Sequence, residues 1–150
     1  MTATDANVIA VDRAIAELRR GRPVLLEADD GNYALALAAE QASPDSFAEL
    51  CAWAQGTATA VLVLTESRAQ ALHIKPTGTG VVLLPVSQTT DVGLVQTLAD
   101  GSTDLSQPLR GPFQRDRRPP HDTETAAVQL AKAARLLPSA VVVSVLAKDA

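Results

Sequence analysis

Two apolar stretches, Pro23 to Ala28 and Tyr33 to Ala39, are separated by only Asp29, Asp30, Gly31 and Asn32. Gly, Asn and Asp tolerate the positive φ that a tight reversal needs, and so short a link leaves the second stretch little choice but to lie beside the first. The chain is thereby committed early to a β-hairpin. A hairpin is marginal by itself, so the remaining residues must extend it into a sheet and cover that sheet.

The covering elements are legible from periodicity. Val8, Val11, Ala14, Ile15 and Leu18 recur at helical spacing, with Thr4 or Asp5 as cap and Gly21 as terminator, which predicts a first amphipathic helix with these residues inward. Ser43-Pro44-Asp45-Ser46 supplies a cap, a first-turn proline and an acid suited to the helix dipole, opening a helix that Gly56 closes, with Phe47, Leu50, Cys51 and Ala54 as its apolar stripe. Thr57 to Leu64 reads as a central strand and Thr65 to Leu72 as a short capped helix. Val81 to Val86 reads as a strand that Pro85 confines to an edge or a strand end. Asp91 to Ala99 is a short helix, Asp100 to Pro120 a long loop broken by glycines and prolines, Thr123 to Leu136 a helix, and Ala140 to Leu146 a buried final strand. Without strict alternation or internal repeat, the expected architecture is α+β, a mixed sheet with packed helices, as a single domain over residues 1–150.

Composition narrows the function classes. Hydrophobic residues make up 47% of the chain and aromatic residues 3%, so the core is built from small aliphatic side chains. A net charge of -4 gives no general attraction to nucleic acid or to an anionic membrane. Cys51 is the only cysteine, which excludes an internal disulfide and a cysteine-cluster zinc site. The polar start, Met1 to Asn7, lacks the layout of a secretion signal, and no apolar run spans a bilayer, so a cytoplasmic location is expected.

The stretch from Val11 through Arg19-Arg20-Gly21-Arg22-Pro23 to Asp29-Asp30 resembles the opening of dihydroxybutanone phosphate synthase, the magnesium-dependent riboflavin-pathway enzyme that acts on ribulose 5-phosphate. The resemblance continues in order through Ala39-Glu40, Thr65 to Leu72, Thr79-Gly80, Ala99-Asp100-Gly101, Asp104-Leu105, and Val128 to Val141 with its Pro138, covering most of the chain. It implies that family's fold in reduced form and a homodimer. It also implies a place like that of the synthase domain that precedes GTP cyclohydrolase II in bifunctional riboflavin proteins. The family's catalytic elements match poorly. Its acidic loop, of the form Asp-Arg-Glu-Asn-Glu-Gly-Asp, is absent after Asp30, and its His-Thr-Glu falls on Thr123-Glu124-Thr125, with Gln129 where an Asp should lie. In a shifted register that matches Thr123-Glu124 to Thr-Glu, Asp122 replaces the histidine, and either register lacks the histidine ligand. His121 is the nearest substitute for the histidine, and the segment around Gln88 to Val92 is shorter than the family's sugar-phosphate motifs.

The resemblance therefore implies a catalytically silent domain with no catalytic residue and no metal, serving dimerisation, support or regulation of a cyclohydrolase partner. Asp29, Asp30, His121, Glu124 and Thr125 are what a vestigial pocket would retain. The alternative is an enzyme that still binds a sugar phosphate or nucleotide through Asp29, Asp30, His121 and Glu124, with magnesium as cofactor. Each candidate has a plainer reading. Asp29-Asp30 closes a hairpin, Glu124 answers the helix dipole, His73 ends a helix, and Cys51 is a core residue. Thr77-Gly78-Thr79-Gly80 leads into a strand, although its amides are of a kind that cradles phosphate. Arg110, Arg115, Arg117 and Arg118 form a basic cluster for which a solvated loop or a contact to a partner domain is favoured over phosphate.

Overall fold

The computed structural model describes residues 3–28, 31–54, 60–75, 78–103 and 113–145. Helix α1 (Ala3–Arg19) leads into strands β1 (Val24–Glu27) and β2 (Tyr33–Ala38). These pair antiparallel from Val24 opposite Ala36 to Glu27 opposite Tyr33. The turn is held by Ala28 N–H on the Asn32 carbonyl at 2.8 Å and Gly31 N–H on the Ala28 carbonyl at 3.0 Å, with Gly31 at φ +84°. The hairpin is formed as the sequence requires.

Helix α2 (Pro44–Ala52) starts at Ser43, whose hydroxyl accepts from Ser46 N–H while Ser46 Oγ accepts from Ser43 N–H, a reciprocal capping box. Then follow β3 (Ala60–Thr65), α3 (Glu66–Ala71), β4 (Val81–Val86), α4 (Val92–Ala99), α5 (Asp122–Ala133) and β5 (Ala140–Val145). The expected end of α2 at Gly56, the expected strand start at Thr57 and the strand end at Leu146 lie outside the described residues.

The sheet order is β1-β2-β5-β3-β4. The α+β architecture holds, with one correction to the expectation of a mixed sheet: every neighbouring pair is antiparallel. The link from β3 through α3 returns the chain alongside β3 in the opposite sense, so no parallel crossover arises. The central strand is β5, between β2 and β3, while β3 lies one place off centre. Its position follows from composition: Ala140 to Val143 are all buried, as a strand covered on both faces must be. Pro85, lacking an N–H, sits exposed on β4 at the edge, as expected.

Side chains alternate between two helical layers. Leu37, Leu62, Leu64, Leu84, Val141 and Val143 meet α2, α3 and α4 through Phe47, Leu50, Ala69, Val95 and Leu98. Ala34, Ala36, Ala38, Val61, Val63, Ala140 and Val142 meet α1 and α5 through Leu18, Ala127 and Val128. The inward stripe expected of α1 is only half realised. Leu18 is buried, but Val8 and Val11 are 55% and 46% exposed, because the N-terminal part of the helix has no described neighbour over them.

Candidate functional site at the start of the last helix

The residues ahead of α5 are held by the sheet edge. Asp116 donates its N–H to the Leu83 carbonyl at 2.7 Å, an isolated bridge on the outer side of β4. The Asp116 carboxylate accepts from Arg118 N–H at 3.1 Å and lies 3.5 Å from Arg118 Nε. Pro119 and Pro120, with fixed φ and no N–H, carry the chain extended into His121, the residue that caps α5.

Glu124 stands in the first turn of α5, and its residue is 1% exposed. One carboxylate oxygen accepts from His121 N–H at 2.7 Å and from Arg118 Nη1 at 2.8 Å, and the other accepts from Arg118 Nη2 at 2.5 Å. A buried carboxylate is tolerable only when so paired, and the two-pronged guanidinium is the geometry that pairs it best. The hydrogen bond to Glu124 and its negative charge hold the Arg118 guanidinium above its ordinary value, against an opposing effect of burial. The helix-dipole reading of Glu124 is correct as far as it goes, and it misses the burial and the ion pair.

Asp29 and Asp30 lie outside the described residues. His121 is exposed, and its backbone does the work: its N–H goes to Glu124, and its carbonyl accepts from Glu124 N–H at 3.0 Å and Thr125 N–H at 3.3 Å. Thr125 is half-buried. Arg118, read from sequence as part of a solvated or partner-facing basic loop, instead turns inward onto its own chain. Arg115 is half-buried, Arg117 exposed, and Arg110 outside the described residues. A signal for this pairing exists in the sequence. Two prolines between an arginine and a helix N-terminus restrict where that arginine can reach, and a glutamate at the third helical position is within reach.

In the Thr77 to Gly80 segment, Thr77 is outside the described residues and Gly78 N–H donates to Glu66 Oε1 at 2.6 Å. One of the amides that such a cradle would offer is thereby taken by a carboxylate of the chain. His73 ends α3 in the left-handed region, at φ +61°, and burial pushes the Cys51 thiol up, away from thiolate chemistry. Around Gln88 the chain makes a turn, with Ser87 N–H on Thr90 Oγ1 at 3.0 Å and Asp91 capping α4 through Gly93 N–H at 3.0 Å.

Magnesium needs several oxygen ligands free to converge. Among the described residues no group of three or more His, Cys, Asp or Glu is placed to hold a metal ion, and both oxygens of Glu124 are engaged. The described residues do not fit that metal. Nor does any described helix have the length and apolarity to cross a membrane.

No family model matches the chain. It is 37% identical over 139 residues to a GTP cyclohydrolase-2 of Azospirillum brasilense, an alignment that takes in 92% of this chain and 35% of that protein. The chain thus spans about a third of the length of the curated relative it matches. Among solved structures it is similar to a two-domain 3,4-dihydroxy-2-butanone 4-phosphate synthase from A. baumannii, with a TM-score of 0.66 and 18% identity over 91% of this chain and 47% of that one. It is also similar to the same-named synthase of Candida albicans, with a TM-score of 0.60 and 22% identity over 88% of this chain and 77% of that one. A cation-free form of such a synthase gives a TM-score of 0.62 and 19% identity over 90% of this chain and 74% of that one. The fold is that of 3,4-dihydroxy-2-butanone 4-phosphate synthase.

Proposed function

We propose that this chain is a catalytically silent synthase-like domain associated with riboflavin biosynthesis, serving a GTP cyclohydrolase II as a dimerisation, scaffold or regulatory unit. The observation that carries the reading is the state of Glu124. An acid that is to move protons on a sugar phosphate, or to bind a metal, must present a carboxylate oxygen to the ligand. Here both oxygens are held by Arg118 and one also by the His121 N–H, in a side chain closed to solvent. The missing acidic loop after Asp30 and the missing histidine before Glu124 point the same way.

The link to a cyclohydrolase rests on the Azospirillum relative, of which this chain matches only part. The fold likeness adds the synthase architecture, including a two-domain example. Homodimerisation is part of the proposal, and sedimentation of the purified chain measures it directly.

The decisive test is incubation of the chain with ribulose 5-phosphate and Mg2+, reading formate and dihydroxybutanone phosphate. Silence predicts neither product above a protein-free control. Metal-dependent formation of both would overturn the reading and return the pocket residues to an enzymatic role.

A further inference from the structure

Arg118 touches two carboxylates at once: the buried one of Glu124, through both Nη atoms, and that of Asp116, through Nε at 3.5 Å. Its backbone N–H is on Asp116 as well, and Asp116 is itself fastened to β4 through the Leu83 carbonyl. A single cation therefore joins the sheet edge, the residues 116–121 and the first turn of α5. That is the geometry of a bridging counter-ion. Fastening a strand edge and a helix N-terminus through shared carboxylates is what a divalent cation does in a metal-dependent site, and here a side chain does it.

We infer that Arg118 is the resident cation of this site: it neutralises Glu124 and Asp116 from within the chain, straps residues 116–121 across the sheet edge onto α5, and makes the folded domain independent of a divalent metal. The inference deepens the silent-domain reading and rests on it. It assigns a cause to the silence, because the residue that stabilises the helix start is the residue that closes it. The strap also accounts for the buried Glu124. Without a permanent counter-ion such a carboxylate would be a standing penalty, whereas a guanidinium, always charged, does not leave it.

Thermal unfolding of the full chain, with and without millimolar Mg2+, tests this in the wild type and three variants. The wild type is expected to melt at the same temperature in both conditions. Arg118→Met leaves Glu124 buried without its partner and is expected to lower Tm by about 10 °C. Arg118→Lys keeps the charge without the fork and falls between, which keeps the series readable if the methionine variant does not fold. Arg118→Met combined with Glu124→Gln removes both charges while retaining an acceptor for His121 N–H, and is expected to recover more than half of the loss seen in Arg118→Met or, if that variant is unfolded, to melt at or above Arg118→Lys. A saturable rise of the wild-type Tm with Mg2+ would overturn the inference. So would an unchanged Tm in Arg118→Met, or a double variant no better than the single one. Catalytic turnover by the wild type, by contrast, overturns the silent-domain reading and leaves the metal-independence of the melt to be judged by its own result.

Discussion

The two faces of the sheet are built differently, although the same strands make both. Against α2, α3 and α4 the strands present Leu37, Leu62, Leu64 and Leu84, filled in by Phe47 and Leu50. Against α1 and α5 they present Ala34, Ala36, Ala38 and Ala140, with valines between. The first face is held mainly by apolar volume, although Arg68 Nε on the Leu98 carbonyl at 2.6 Å and Gln96 Nε2 on the Ala42 carbonyl at 2.7 Å fasten its helices as well. On the second, small side chains bring the helices close to the backbone, and polar fastenings add to the packing: the Arg118–Glu124 pair at the start of α5, Arg19 Nε on the Ala134 carbonyl at its end at 2.9 Å, and Ser139 Oγ on the Val63 carbonyl at 2.8 Å. The difference teaches where change is tolerated. The leucine face suffers most from lost volume, and the alanine face from added volume.

The largest effect is expected from Leu62→Ala. Leu62 is fully buried between β5 and β4 on the thick face, and its removal should cost about 3 kcal/mol in urea unfolding, the typical sum of lost transfer and cavity energy. The mirror experiment is Ala36→Leu on the thin face, where the residue is 1% exposed. Overpacking there should cost about 2 kcal/mol. If Ala36→Leu were neutral while Leu62→Ala cost its full amount, α5 would be loosely seated and the contrast between the faces would fail.

A smaller effect isolates the polar fastenings. Ser139 is 2% exposed and its hydroxyl reaches across to β3 from the turn that leads α5 into β5. Ser139→Ala should cost about 1 kcal/mol, the usual net worth of one buried hydrogen bond. A cost near zero would assign the seating of that turn to packing alone.

The division into two faces is legible in the amino-acid sequence of the strands, because alternation of Leu with Ala in β2 and of Leu with Val in β3 is a local pattern. The hairpin, the Ser43 cap and the edge position of Pro85 are legible for the same reason: each depends on the conformational limits of residues adjacent in sequence. What the sequence leaves open depends on partners far along the chain. The antiparallel sense of the two central ladders follows from how β5 inserts between β2 and β3, more than 70 residues after either. The exposure of Val8 and Val11 depends on where the sheet stops beneath α1, which periodicity does not record. The inward turn of Arg118 is hidden by its neighbours, since four arginines in a proline-rich stretch look alike until one of them finds a buried carboxylate.

The smallest effect compares the two faces at matched positions. Helix α3, on the leucine face, and helix α5, on the alanine face, end in the same way. His73 and Arg135 each sit at φ +61° one residue past the cap, with Ile74 N–H on the Ala69 carbonyl at 2.8 Å and Leu136 N–H on the Ala131 carbonyl at 3.0 Å completing the motif. Glycine reaches this conformation without the Cβ conflict and is the common choice there, as Gly21 is at the end of α1 at φ +77°. His73→Gly and Arg135→Gly should therefore each stabilise the domain, by about 0.5–1 kcal/mol, since relief of the strained backbone exceeds the extra chain entropy glycine loses. Both side chains are exposed, so little packing is lost at either site. Equal gains would mean that the helix ends are independent of the face they serve. A gain at His73 with a loss at Arg135 would mean that the Arg135 side chain contributes to holding α5 on the alanine face, where polar fastenings supplement the small side chains.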